Sequence, residues 1–164
     1  MTYAGIPVDL VSGEVSVEKS LFYLSEAEFE DLPLVEAIND LIQSGQRFMM
    51  GDGFGVIRSP VQDHFAEVTL VKAGREYLRS LAEQGWLFQG KCTYRSVKGP
   101  LTVWTLFSGP SLITLNLEPT AGWTVSCFGK GLDDSEDRAL AVARSGEGVG
   151  RGFEAYLMVF VREQ

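Results

Sequence analysis

The chain has 164 residues, of which 45% are hydrophobic, and it carries 22 acidic against 14 basic side chains for a formal net charge of −8. A chain of this size and apolar content can fold without a metal or a disulfide, so we expect residues 1–164 to form a single domain. The charge excludes nucleic acid and anionic membrane surfaces as expected partners, because both are bound through clustered Lys and Arg.

The first helical signal in chain order begins at Ser25. Ser25 and Glu28 have the spacing of a capping box, in which each side chain binds the other residue's backbone N–H. Beyond Pro33 apolar residues recur at helical spacing, and Gly45 is a suitable left-handed stop. The sequence therefore predicts a helix over residues 33–44.

The next segment alternates short strands with turns. Residues 47–71 predict two or three strands, with glycines in the first part and a loop that contains Asp63 and His64. A second helix is predicted over residues 72–84, because leucines form an apolar stripe there and Gly85 follows it.

From Trp86 onward the chain is dominated by strand signals. Aromatic and β-favouring segments alternate with Gly-Pro and Lys-Gly-Pro turns, and the predicted strands are 86–95, 101–107, 112–117 and 123–128. Such short connections favour antiparallel neighbours, since a parallel pair needs a crossover of about a dozen residues.

A third helix and a final strand complete the predicted elements. The helix covers residues 133–144, with Asp133 as its cap and Glu136 in the reciprocal position. Residues 153–162 are apolar on both strand faces, which is typical of a central strand buried on both sides. We expect an α+β fold: a single antiparallel-rich sheet of about six to eight strands with two or three helices packed on it.

The two cysteines occur inside predicted strands. Strand periodicity aligns Cys92 with Trp86 and Phe88 and aligns Cys127 with Trp123, so both thiols should face apolar neighbours. Two cysteines are too few for a secreted disulfide scaffold. Because the chain also shows no signal-peptide pattern and no apolar run of about 20 residues, we expect a cytoplasmic protein with reduced thiols.

No motif in the sequence names a reaction. The Gly-rich segments 51–55 and 146–152 lack the following helix and the Lys-Ser/Thr pair of a phosphate loop. His64 is the only histidine, and with two cysteines it provides too few ligands for zinc. We expect no catalytic residue, no metal and no cofactor, and this absence favours a protein without enzymatic activity.

Two acidic clusters are the remaining candidates for a function. The first covers residues 26–31, and the second consists of Asp133, Asp134, Glu136 and Asp137. Carboxylates at a predicted helix start interact favourably with the helix dipole, which is one explanation. The other is an acidic face for a basic protein, with Trp123 as an aromatic anchor. The predicted binding residues are Trp123, Asp133, Asp134, Glu136 and Asp137.

A local resemblance to a DNA-binding family adds a third interpretation. Residues 34–45, the two strands after them, and the segment Val68-Thr69-Leu70-Val71-Lys72-Ala73-Gly74-Arg75-Glu76-Tyr77-Leu78 resemble the recognition helix, wing and following helix of the MarR-like winged-helix regulators. The resemblance implies DNA contacts from helix 34–44. That helix has no Lys or Arg, however, and contains Glu36 and Asp40, whereas base and phosphate contacts need cations and amides.

Three function classes follow, in decreasing order of preference. The first is a non-enzymatic protein-binding module, such as an acidic inhibitor or immunity-type protein that neutralises a basic partner. The second is a small-molecule-binding domain or small enzyme with an aromatic pocket in residues 86–162. The third is a degenerate winged-helix regulator. An exposed acidic patch without a deep cavity would favour the first class, and a closed pocket with convergent polar groups the second.

Duplex DNA should not bind this protein at physiological salt, because its net charge is −8 and helix 34–44 is acidic. An electrophoretic mobility shift assay over increasing salt provides the measurement. A sequence-specific shift at submicromolar protein that weakens steeply with salt would contradict the expectation and support the winged-helix interpretation.

Overall fold

A computed structural model describes residues 7–26, 33–146 and 148–164. The described elements are, in chain order, β1 (Asp9–Val17), β2 (Leu21–Ser25), α1 (Leu34–Ser44), β3 (Phe48–Met50), β4 (Phe54–Arg58), β5 (His64–Lys72), α2 (Glu76–Arg79), β6 (Leu87–Arg95), β7 (Pro100–Thr105), β8 (Gly109–Asn116), β9 (Gly122–Lys130), α3 (Ser135–Ser145) and β10 (Gly150–Arg162).

The strands form two five-stranded sheets. The first sheet has the order β1-β5-β10-β9-β6 and the second has the order β3-β4-β2-β7-β8. Neighbouring strands are antiparallel except β5 and β10, which pair in parallel. The predicted mixture of strands and helices is confirmed, but the predicted single sheet of six to eight strands is wrong. The prediction failed because turn residues in the sequence indicate where strands end but do not indicate which sheet each strand joins.

The main core lies between the two sheets. Tyr156, Met158 and Phe160 of β10 pack there against Phe22 and Leu24 of β2 in the second sheet. The alternate residues of β10 lie in a separate cluster with Leu81, Phe128 and Val71 on the other face of the first sheet. Because β10 pairs with β5 on one side and β9 on the other, the prediction of a central strand buried on both faces is confirmed.

The N-terminal part differs from the prediction. Ser25 is the last residue of β2 and does not begin a helix, and Glu28 lies outside the described residues. Strands β1 and β2 were not predicted. The helix predicted over residues 33–44 is α1, and Gly45 ends it with a φ of 71°. Its buried residues pack on the outer face of the second sheet.

The other two helices begin and end at different places than predicted. Lys72 is the last residue of β5, so the helix predicted over residues 72–84 is reduced to the short α2. Pairing with β10 continues to Lys72 and outweighs the local leucine stripe. Asp134, not Asp133, is the residue before α3, and it makes no side-chain cap hydrogen bond. The predicted capping by Asp133 and Glu136 is therefore wrong.

The arrangement after α1 is not that of a winged helix. Strand β3 pairs with β4 and β4 pairs with β2 in the second sheet, whereas β5 belongs to the first sheet. The segment that resembled the following helix begins as the end of β5 and reaches helix only at α2. None of the helices in residues 7–26, 33–146 and 148–164 has the length and apolar content needed to cross a bilayer.

Both cysteines are free and lie on the core side of their strands. Cys127 is buried, and Cys92 is half-buried against the same cluster. A bulge between Phe88 and Gly90 shifts the register of β6. Phe88 is consequently 59% exposed, and the predicted alignment of Cys92 with Phe88 is wrong although the apolar surroundings of the thiol are confirmed.

Both thiols should react slowly in the native protein. Burial raises the pKa of Cys127 to about 12, with a further contribution from Cys92, and burial also raises the pKa of Cys92. At pH 8 we expect Cys127 to react with an aromatic disulfide reagent at least about 100-fold more slowly than a free thiol, whose pKa is about 8.5. Both thiols should react at once in denaturing urea, and rapid labelling of Cys127 in the native state would disprove its buried placement.

Candidate functional site

The sequence-predicted acidic cluster lies at the beginning of α3, and we call its four residues the acidic turn: Asp133, Asp134, Glu136 and Asp137. All of them are exposed. Buried Ser135 lies between them, and its hydroxyl donates to the carbonyl of Leu132 at 3.1 Å. The carboxylates adjoin the positive end of the helix dipole, which favours negative charge there.

Most of this charge is not neutralised within the protein. Nε of Arg138 pairs with Oδ2 of Asp134 at 3.1 Å, with both side chains about half exposed. The other three carboxylates of the acidic turn have no ion pair with the described residues. Helix α3 itself has Ser135 as its buried residue, and Leu140 is 50% exposed. The acidic turn is therefore presented on a helix that is open to solvent along most of its length.

Trp123 does not lie beside the acidic turn. It is 1% exposed in the core between the sheets, and its Nε1 donates to Oγ of Ser96 at 3.3 Å. Trp123 is near the start of β9 and Lys130 is its last residue. At about 3.3 Å per strand residue the two ends are roughly 23 Å apart. An aromatic anchor must be exposed to enter a partner's pocket, so the placement of Trp123 disagrees with that predicted role.

A cleft of about 240 Å³ adjoins the acidic turn, and we call it the arginine cleft. Its lining residues are Ser20, Gly45, Arg47, Arg58, Ser59, Pro60 and Glu136. They come from the β1–β2 turn, the segment between α1 and β3, the end of β4, the β4–β5 turn and the first turn of α3. Glu136 thus belongs to both the acidic turn and this cleft. No motif in the sequence indicates the two arginines, which are eleven positions apart.

A buried polar cluster lies behind Ser59. Its hydroxyl is 2.7 Å from Oε2 of Glu154 and 3.0 Å from Nε2 of His64. The Tyr156 hydroxyl donates to Oε2 of Glu154 at 2.6 Å, and Nε2 of His64 is 3.3 Å from the same oxygen. These four side chains are at most 3% exposed. A glutamate within the apolar strand 153–162 is the sequence signal that could have indicated this cluster, since a buried carboxylate requires partners.

The cluster contains serine, histidine and glutamate but does not have the geometry of a catalytic triad. In a triad the histidine uses one ring nitrogen for the serine and the other for the acid. Here Ser59 and Glu154 both contact Nε2 of His64, and Nδ1 has no hydrogen-bond partner in the described part of the chain. The Ser59 hydroxyl donates to Glu154 and accepts from the backbone N–H of Val61. A serine that is 2% exposed and whose proton is bound by a carboxylate is positioned to hold the fold together.

The hydrogen bonds of the cluster shift the acidities of its members. Burial acts to raise the pKa of Glu154, but hydrogen bonds from His64, Tyr156 and Ser59 outweigh it, and the pKa is lowered. Burial, together with the charge of Glu154, raises the pKa of Tyr156 well above its usual value. The cluster therefore stabilises an ionised Glu154 beside a neutral tyrosine.

The strand-rich half has open clefts at the positions where a ligand pocket was predicted. Two clefts of about 490 Å³ each open to solvent there, one beside Trp123 and Arg162 and the other beside Tyr94 and Arg95. Neither has the closed aromatic lining that the small-molecule alternative requires. Within the described residues no three His, Cys, Asp or Glu side chains are grouped so that they could hold a metal ion.

Two solved structures have a similar fold. ComJ from Bacillus subtilis, an inhibitor of the DNA-degrading activity of NucA, matches with a TM-score of 0.57 and 12% identity over 93% of this chain and 95% of ComJ. The protein described as crocagin biosynthetic gene J matches with a TM-score of 0.53 and 10% identity over 95% of this chain and 98% of that chain. No family model and no curated protein sequence matches. At these identities the likeness shows the fold alone.

Replacement of the buried carboxylate should change both stability and its pH dependence. We expect Glu154→Gln to lower the free energy of unfolding at pH 7 by about 1.5–3 kcal/mol, the range for hydrogen bonds to a charged group. Because folding lowers the pKa of Glu154 below 4.5, its contribution is complete above that pH and disappears as the pH falls through the lower folded value. The difference between wild type and variant should therefore shrink on acidification.

Urea unfolding at pH values from 7 to 3 measures this effect. Glu83→Gln is the matched control, because Glu83 is exposed and its replacement should change stability by no more than about 0.5 kcal/mol. Equal curves for the two variants over the whole pH range would show that Glu154 does not have the stabilising role derived above.

Proposed function

We propose that this protein is a non-enzymatic inhibitor that binds a basic partner protein through its acidic turn. The observation that carries the proposal is the joint exposure of Asp133, Asp134, Glu136 and Asp137 on a helix that packs sparsely against the body. Among the described residues one of these four carboxylates, that of Asp134, forms an ion pair, with Arg138. The remaining charge is available to a partner.

The electrostatics support a role in fast association. The net charge of −8 attracts a basic protein at long range, and the acidic turn concentrates negative charge at one end of the sandwich. Complementary fields raise association rates and orient the encounter. Exposed ion pairs contribute little affinity individually, so the tight part of the interface must come from neighbouring packed contacts.

The similarity in fold supports the kind of partner that we propose. ComJ, which has the same fold over nearly the whole of both chains, inhibits the DNA-degrading activity of NucA. Nucleases bind phosphates through Lys and Arg, and an acidic surface is complementary to such a site. We therefore propose a nuclease or another nucleic-acid-binding protein as the partner, in a reducing compartment such as the cytoplasm, where two free thiols persist.

The buried polar cluster supports the non-enzymatic part of the proposal. Ser59, His64 and Glu154 are the described residues that most resemble a nucleophile with its base, and each is 1–2% exposed. The proton of Ser59 is held by Glu154, the serine contact is made by Nε2 of His64, and Nδ1 of His64 has no hydrogen-bond partner among the described residues. A substrate would have to open the protein to reach His64 and Glu154, which are 1% and 2% exposed.

Neutralising the acidic turn should slow binding of the partner. In a variant with Asp133, Asp134 and Asp137 changed to Asn and Glu136 to Gln, we expect the association rate to fall about tenfold or more at low salt and to lose most of its salt dependence. The partner is first isolated with the wild-type protein as bait at low salt, and the rates are then measured by stopped-flow fluorescence.

The matched control removes the same charge from elsewhere. Asp9, Glu67, Glu76 and Glu83 are exposed and lie outside α3, so their replacement by Asn and Gln changes the net charge equally. The control variant should keep most of the rate. If both variants slow equally, net charge and not the acidic turn controls association; if the purified protein alone turns over a substrate, the non-enzymatic proposal is wrong.

A further inference from the structure

Arg47 and Arg58 are unusual among the nine arginines of the chain. They are the two that are half-buried, whereas the other arginines are exposed. Exposed Arg138, Arg151 and Arg162 each pair with a carboxylate. Arg47 and Arg58 have neither an ion pair nor a side-chain hydrogen bond with the described residues. A half-buried arginine is expected to have a partner more often than an exposed one, because removing a charge from water is costly when no partner compensates it.

The two arginines are also direct cross-strand neighbours. The backbone N–H of Arg58 donates to the carbonyl of Arg47 at 2.7 Å, and the adjoining pair Phe48 and Ile57 is in register in the β3–β4 hairpin. Directly opposed like charges destabilise a strand pair. Both residues line the arginine cleft, so an anion bound there would offset the repulsion of the two charges and supply the missing partner.

Ser20 brings a further donor to the same cleft. Its φ is 67°, which is uncommon for a residue with a side chain. Two backbone hydrogen bonds hold this conformation, from Ser20 N–H to the carbonyl of Gln62 and from Ser59 N–H to the carbonyl of Ser20, each 2.7 Å. Ser20 lines the cleft, and its hydroxyl has no hydrogen bond to the described residues.

We propose that the arginine cleft is a binding site for a single carboxylate group. Two guanidinium groups and a hydroxyl provide the donors that a planar carboxylate accepts, and arginine matches its geometry with two parallel hydrogen bonds. The cleft of about 240 Å³ holds a small group. Glu136 on its lining reduces the local charge from +2 to +1, which fits a monoanion better than a phosphate dianion.

This site goes beyond the inhibitor role and can be tested without a partner. Where a partner is bound, the carboxylate is an Asp or Glu side chain of that partner. Its contact with Arg47 and Arg58 would then lie beside contacts of the opposite polarity at Glu136 and Asp137. Adjacent contacts of opposite sign fix the register of an interface and reject wrongly charged partners.

Sodium acetate is the probe for the free protein. NMR spectra of the arginine Nε–Hε groups, recorded against sodium chloride at equal ionic strength, should show saturable shifts for Arg47 and Arg58. Arg47→Gln and Arg58→Gln should weaken acetate binding by tenfold or more, and Arg58→Lys should weaken it although it keeps the charge. Arg79→Gln, at an exposed arginine outside the cleft, should bind acetate like the wild type.

Two further titrations define the ligand. A capped tripeptide with a central Glu, compared with its Gln counterpart, should bind at least as tightly as acetate if the cleft accepts protein side chains, whereas acetate binding alone would assign a site for small free acids. Shifts identical to those in chloride, or inorganic phosphate binding more tightly than acetate, would overturn the carboxylate proposal. These titrations use the free protein, so a failure to bind acetate would not contradict the proposed inhibitor function. Equally, a failure of the association-rate experiment would not contradict the carboxylate site.

Discussion

The structure depends on one strand that must be compatible with apolar surroundings on both faces. Strand β10 lies between β5 and β9, and its residues contribute alternately to the core between the sheets and to the cluster on the outer face. A charge on such a strand must find its partners inside the protein. Glu154 does so through Ser59, His64 and Tyr156.

That single set of contacts also positions the candidate site. Ser59 belongs to the turn directly after β4, so its bond to Glu154 fixes the end of a second-sheet strand relative to the centre of the first sheet. Arg58, the preceding residue, is thereby held at the mouth of the cleft, and Glu136 approaches from α3. A buried negative group thus supports a surface where half-buried arginines meet exposed carboxylates.

The local sequence pattern predicted α1 and β10, whose buried residues recur with a simple helix or strand period. It failed for elements whose secondary structure is determined by pairing with strands distant in sequence. Strand β2 is buried at all five positions, and the capping-box spacing at Ser25 misleadingly favoured a helix. The acidic turn can be recognised in the sequence because its four residues lie within the segment 133–137. The arginine cleft cannot, because Arg47 and Arg58 become neighbours only when the hairpin forms. The burial of Glu154 likewise depends on residues distant in sequence, Ser59 in the turn after β4 and His64 in β5.

The parallel pairing of β5 with β10 has a consequence for how the chain folds. Four strands and two helices separate the two partners in sequence, so their contact closes a long loop of chain. Closing that loop costs conformational entropy before the pairing contributes any stabilisation. Folds with many such distant pairings therefore reach the native state slowly. Until β10 pairs with β5, one edge of β5 is paired with β1 and the opposite edge is unpaired. An incompletely folded chain is therefore most exposed to intermolecular strand pairing, and so to aggregation, along β5.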